Sequence, residues 1–211
     1  MISKLLIVLC VGFFLCPDSG DKNETSVIAV GDIMLGRNIG KDMEKTSKSY
    51  CYPYKFIKNL ISSSDIAFAN LESPISSTGN PRPKKFCFCA STKSVEGLLF
   101  SGFDVFSGAN NHMMDYGDEA LNNTVDLLNK NNIPIVGAGK NLKQARKPAI
   151  FKIGENRIAF LAYDCTFRWT FAKDKRPGTA PGRIKIIKQD IKKAKKISDI
   201  VLVSFHWGNE Y

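Results

Sequence analysis

The chain has 211 residues, 44% of them hydrophobic and 24% charged, with 30 Lys and Arg against 20 Asp and Glu for a net charge of +10. Such numbers are ordinary for one globular α/β domain with a sizeable core. The positive surface favours polyanions, but no recognisable nucleic-acid-binding module accompanies it, which turns the expectation away from nucleic acid and toward an anionic envelope polymer or a membrane surface.

The amino terminus differs from the rest. Lys4 precedes an apolar run of twelve residues from Leu5 to Cys16, followed by the small residues Ser19 and Gly20. Residues 1–20 therefore read as a secretory signal peptide, or as a retained N-terminal anchor because no Ala-x-Ala site follows. The run is shorter than the roughly 18 residues of a spanning helix. Lipidation at Cys16 reads more weakly, since Phe13-Phe14-Leu15 lacks the small residue expected just before a lipidated Cys. Export would place Cys51, Cys87, Cys89 and Cys165 in an oxidising compartment. Cys87 and Cys89 are too close for a relaxed bridge, so at least one bridge to Cys51 or Cys165 is expected. A zinc site would want a further close Cys or His pair, and buried free thiols are the remaining alternative.

The first strand is predicted over Ser26 to Asp32, a β-branched run that delivers a carboxylate at its end. Pro53 to Ser62 reads as a helix, and Asp65 to Asn70 as a second strand leading into Asn70-Leu71-Glu72. The proline-rich stretch from Ser73 to Lys93 reads as an irregular loop over the site. Its Arg82, Lys84 and Lys85 read first as surface charge and second as contacts for an anionic substrate. Ser94 to Phe100 forms a short helix. Val105 to Ala109 is a buried strand, and Asn110-Asn111-His112 follows at its carboxyl end, where open α/β sheets place their ligands. Asp115 has two readings, a helix cap or a supporting group for the site. Leu121, Thr124, Val125 and Leu128 mark a helix that ends near Asn131. Ile133 to Val136 is the next strand, and Ala149 to Ile153 with Ile158 to Tyr163 form a hairpin. Asp164 to Gly182 is a second long loop. Ile184, Ile187, Ile191 and Ala194 give an amphipathic helix with lysines on its other face, and Ile200 to Phe205 is a buried strand ending in His206-Trp207-Gly208-Asn209-Glu210-Tyr211.

His112 and His206 are the chain's two histidines, and both directly follow strands. With Asp32, Glu72 and Asn111 at equivalent strand ends, the residues form a mixed oxygen and nitrogen set suited to a divalent metal such as Mn, Zn or Fe. No Gly-x-Ser-x-Gly elbow and no phosphate-cradling Gly-rich loop is present, so serine hydrolase and P-loop readings fall away.

Four stretches carry a resemblance: Gly31-Asp32-Ile33-Met34-Leu35-Gly36-Arg37, Asn70-Leu71-Glu72-Ser73-Pro74-Ile75, Ala109-Asn110-Asn111-His112 with Asp115-Tyr116-Gly117, and the closing run from His206 to Tyr211. In this order they resemble the bacterial capsule-synthesis protein family of poly-γ-glutamate biosynthesis, which is related to the calcineurin-like metallophosphatases. The resemblance implies a metallophosphatase-like two-sheet α/β sandwich with flanking helices over residues 26–211, its site at the strand ends. It implies Asp32, Glu72, Asn111 and His206 as metal ligands and His112 as the proton donor or charge stabiliser. Asn70, Asp115, Trp207 and Glu210 would support them.

The implied function is that of an exported capsule-polymer protein with a metal-dependent hydrolase-like site. Its substrate would be an anionic polymer or a small molecule, and its partners the membrane-associated biosynthesis proteins. The alternative is a non-catalytic scaffold that binds an anionic polymer for export. Met34 stands where metallophosphatases carry a His, and the Gly-x-His-x-His segment of the family is not in this sequence. The resemblance therefore implies a domain incomplete at its C-terminus, without its last strands, and a weak or inactive catalyst.

Overall fold

The computed structural model describes residues 24–45 and 49–208. The leader at residues 1–20 and Glu210 lie outside the described residues. Four parallel strands form the first sheet in the order β1 (Val27–Ile33), β2 (Ile66–Leu71), β3 (Val105–Ser107) and β4 (Ile135–Val136). Between them run α1 (Asn38–Lys45), α2 (Lys58–Ile61), α3 (Ser94–Ser101) and α4 (Gly117–Lys130). A two-stranded ribbon pairs β5 (Ala138–Gly139) with β8 (Gly178–Thr179), and α5 (Leu142–Ala145) follows β5. The second sheet joins β6 (Ala149–Ile153) antiparallel to β7 (Asn156–Asp164), and β7 parallel to β9 (Ile200–His206), with α6 (Ile184–Ala194) on the crossover.

The strand period explains how these pieces stack. Along β2, Ile66 and Phe68 face the second sheet, where they pack with Ile158, Phe160 and Ala162 of β7. Ala67, Ala69 and Leu71 point the other way and pack against Leu98 of α3 and Leu121, Val125 and Leu128 of α4. A strand buried on both faces is a continuous apolar run, which is why β2 has no polar residue before Asn70. On the far side, Ala159, Leu161 and Tyr163 meet Ile187 and Ala194 of α6. The layers are helix, sheet, sheet, helix: the two-sheet α/β architecture that the sequence implied. Phe68 and Phe160 hold the two sheets together with ring centroids 5.9 Å apart. Burying one such ring contributes about 1.5–3 kcal/mol.

Several expected elements change on folding. The helix expected over Pro53 to Ser62 is a 3₁₀ turn (Tyr52–Tyr54) and the short α2. Its buried anchors are Tyr54 and Ile61, with Phe56, Ile57 and Leu60 exposed between them, so no continuous apolar stripe holds a longer helix. The strand expected over Ile133 to Val136 shortens to two residues, because Pro134 has no N–H to donate. On α6, Ile184 is exposed and Asp190 takes a buried position, its carboxylate held by Arg146 through bonds of 2.8 and 2.7 Å. Gly102, at φ 86°, ends α3 in the left-handed region that a side chain disfavours.

The expected disulfide is not formed, and all four described cysteines are free. Each sulfur faces a backbone carbonyl in its own neighbourhood: Cys51 that of Glu96, Cys87 that of Asp115, Cys89 that of Ser76 and Cys165 that of Gly182. No described helix is long and apolar enough to cross a membrane.

Candidate functional site

Parallel pairing brings the carboxyl ends of β1, β2 and β3 to one edge of the first sheet. Asp32 pairs in register with Asn70, and Asn70 with Ser107, so the residues that follow these positions meet at one level. β9 delivers His206 from the second sheet to the same edge, level with Asp164 of β7. A cleft of about 320 Å³ opens there, bounded by Asp32, Glu72, Asn111, His112 and His206.

One donor atom from each of Asp32, Glu72 and His206 lies within 4.8 Å of the other two. His206 Nε2 is 3.5 Å from Glu72 Oε1 and 2.8 Å from Asn111 Oδ1. Three of the four residues proposed from the resemblance as ligands thus cluster, and the fourth touches the same imidazole.

The supporting shell is polar and buried. Asn70 Nδ2 donates to Asp32 Oδ1 at 2.8 Å and also to Glu72 Oε2, spanning the two carboxylates. Its own Oδ1 accepts from Asn110 Nδ2 at 3.1 Å. Asn110 Oδ1 in turn accepts the backbone N–H groups of His112 and Met113 at 3.1 and 2.9 Å, fixing the loop after β3. Asn110 has no place in the ligand set inferred from sequence, although its position in the loop just past β3, which ends at Ser107 and not at Ala109, is a signal for it.

His112 is buried, and its Nδ1 lies 2.8 Å from Asp115 Oδ2. The same carboxylate oxygen accepts the Phe88 N–H at 2.8 Å, and its other oxygen pairs with the ammonium of Lys84. Asp115 is therefore no helix cap; its two oxygens are taken up behind the histidine. The Phe88 ring tilts against the imidazole at 4.8 Å between centroids, and the Arg37 guanidinium lies 5.0 Å over Phe88. Lys84 corrects the surface-charge reading of the loop: besides Asp115, it reaches the Asn111 carbonyl at 3.2 Å. Nothing in its sequence neighbourhood, Pro83-Lys84-Lys85, marks it for such a role.

Gly36 keeps the loop after β1 close to this wall. A Cβ there would come within 2.9 Å of the Cys89 nitrogen. Burial pushes the Cys89 thiol up to about 11 and, with the nearby Asp115 carboxylate, raises Cys87 as well. On the other rim, Thr166 and Phe167 enter the cleft from the loop after β7. Asp164 anchors that loop: it is fully buried and accepts from Thr166 N at 2.8 Å, Thr170 Oγ1 at 2.6 Å and Thr179 Oγ1 at 2.9 Å. Trp207 is exposed at the mouth.

The molecule is thus a two-sheet α/β sandwich whose strand ends gather two carboxylates, an imidazole and an amide, with a carboxylate-backed histidine alongside. Residues 26–211 match the family of the bacterial capsule synthesis protein PGA_cap, and the chain belongs to that family. It is 35% identical over 186 residues to the PGA biosynthesis protein CapA of Bacillus subtilis (strain 168), covering 86% of this chain and 48% of that protein. To the capsule biosynthesis protein CapA of Bacillus anthracis it is 26% identical over 200 residues, covering 90% of this chain and 48% of the relative. The chain spans about half the length of these curated relatives. Among solved structures, the NAD nucleotidase of Haemophilus influenzae superposes on 76% of this chain and 29% of its own, with a TM-score of 0.47 at 16% identity.

Proposed function

We propose that the protein acts in the assembly of a capsule polymer of the poly-γ-glutamate type at the cell envelope, as an exported protein with a metal-dependent hydrolase-like site. The apolar run from Leu5 to Cys16 supports export, and family membership supports the polymer. The observation that carries the site is the approach of Asp32, Glu72 and His206 to within 4.8 Å.

The donor set fits a divalent ion. Two carboxylates supply negative charge, while His206 Nε2 and Asn111 Oδ1 add neutral donors, a combination that suits Mn, Zn or Fe. Asp32, Glu72, Asn111 and His206 would hold such an ion, which supplies Lewis-acid polarisation of a phosphoryl or carbonyl oxygen. Asn70 keeps the two carboxylates side by side. His112 holds the proton: with Nδ1 engaged by Asp115, Nε2 is the nitrogen that gives a proton to a leaving group. Arg37 on the rim offers a positive charge to an anionic substrate. Phosphoester and amide bonds are both within the reach of this chemistry.

The test is turnover by the purified protein with manganese or zinc, on phosphodiester and γ-glutamyl polymer substrates. Metal-dependent cleavage that is lost in Asp32→Asn is the expected result. Absence of cleavage on both substrates with metal bound overturns the enzymatic reading.

The second reading is a scaffold that binds an anionic polymer and membrane-associated biosynthesis proteins without catalysis. The exposed lysines of α6, Lys185, Lys188, Lys192 and Lys193, favour it. It expects salt-sensitive polymer binding that survives alanine at His112 and His206. Loss of capsule in cells from those two substitutions, with folding and binding intact, rules it out.

A further inference from the structure

Beside the first cleft lies a second one of about 300 Å³, and the two share Phe167. One wall is basic: Arg82, Lys84 and Lys85 from the loop after β2. The facing wall is aromatic: Phe167 and Trp169 from the loop after β7. Among the described residues, no acidic side chain lines it.

The basic wall is built rather than loosely charged. Arg82 donates from Nε to the Met114 carbonyl at 2.9 Å, its backbone N–H donates to the Asp115 carbonyl at 2.8 Å, and its guanidinium lies 5.1 Å from the Trp169 ring centroid. Lys84 stands 5.6 Å from the same ring while its ammonium pairs with Asp115. Lys85 is exposed, its ammonium 5.1 Å from the Phe86 ring. Asp118 offsets Arg82 only at 3.6 Å and in solvent, where such a pair holds a cation weakly. The cleft therefore presents positive charge above an apolar floor.

A lone phosphate gains little from a flat aromatic face. A chain that alternates carboxylates with short methylene stems uses both walls, its anions on Lys85 and Arg82 and its stems on Trp169 and Phe167. We propose that this second cleft is a subsite for a polycarboxylate chain, which passes Phe167 to reach the Asp32, Glu72 and His206 site. The proposal rests on the polymer reading above for the ligand, and on the cleft itself for the place. Lys84 lines the subsite and also pairs with the carboxylate behind His112, so a wall residue of the second cleft touches the support of the first.

The experiment is fluorescence anisotropy of a labelled γ-linked glutamate oligomer with the full chain, in chelator so that no metal takes part. Lys85→Glu is expected to weaken binding about tenfold, and Lys85→Arg to restore it. Lys152→Glu, which makes the same change in net charge at an exposed position of β6, at the end of the second sheet away from His206, is expected to change binding less than about twofold. Trp169→Phe is expected to weaken binding without loss of the fold. A linear polyphosphate of equal charge is expected to compete poorly.

Equal losses from Lys85→Glu and Lys152→Glu overturn the subsite in favour of diffuse charge. Effective competition by polyphosphate overturns the polycarboxylate assignment. Failure of the oligomer to bind ends the proposal but leaves metal-dependent phosphodiester cleavage open. Oligomer binding by the unsubstituted chain, with neither substrate cleaved when manganese or zinc is bound, upholds the subsite and ends the hydrolase reading.

Discussion

Asp115 stands directly behind His112, its Oδ2 2.8 Å from the imidazole Nδ1 and its other oxygen paired with the Lys84 ammonium. A single buried carboxylate thus orients the candidate proton donor and neutralises a lysine that reaches in from another loop. Replacing it with asparagine leaves the Lys84 charge without its partner. Asp115→Asn is expected to cost about 2 kcal/mol of stability, in the range for a hydrogen bond to a charged group. Urea denaturation measures this, and Lys84→Met in the same background recovers part of the loss, because the uncompensated charge is then gone.

Asn70 is the positioning residue of the metal site, since its amide spans Asp32 and Glu72. Asn70→Ala frees both carboxylates to turn away. Manganese or zinc affinity, read by calorimetry, is expected to fall about 10–100-fold, while circular dichroism stays unchanged.

The Arg146 and Asp190 pair joins α5 to α6 over the second sheet, with two bonds from the guanidinium and a third from Tyr163 at 3.2 Å. Burial, then the Asp190 charge, pushes the Tyr163 phenol well above its ordinary value. Arg146→Met strands a buried carboxylate and is expected to destabilise by about 3–5 kcal/mol. Double replacement with Asp190→Leu is expected to return much of that loss, and thermal denaturation of the three variants decides.

The free thiols give a pH signature. Cys89 holds its proton up to about 11 in the folded chain, against roughly 8.5 for an ordinary thiol. The raised value contributes stability that is fully present below pH 8.5. Stability is lost as the pH climbs toward 11, because the unfolded chain gives up its proton first. Denaturant midpoints from pH 8 to 11 are expected to fall, and less steeply in Cys89→Ala. Alkylation of Cys89 at pH 8 is expected to be slower than that of an unfolded control.

Much of the site was legible because strand ends are local events. A β-branched or apolar run that stops at a polar residue announces both the strand and what it delivers, and Asp32, Glu72, Asn111, His112 and His206 all stand at such stops. The helical faces of α4 and α6 were legible for the same reason, save Ile184, which is exposed, and Asp190, whose burial depends on Arg146 in a distant segment. Lys84 was not legible, since a lysine in a proline-rich loop looks like any surface charge until its partner is known.

The sequence by itself determined the order of the main strands and helices, though not the two-residue strands β5 and β8 or the short α5, and the polar residues that follow the strands of the site, because hydrophobic period and chain stops act over a few neighbouring residues. Only the tertiary structure decided that His206 meets Glu72 and Asn111, that Lys84 turns inward to Asp115, that the chain from Tyr52 to Ile61 breaks into two short turns, and that four thiols face carbonyls rather than one another. Those contacts join residues far apart in the chain, and they follow from sheet order, register and the packing of Phe68 on Phe160. No local pattern carries that information, since burial of one sheet on another is what selects it.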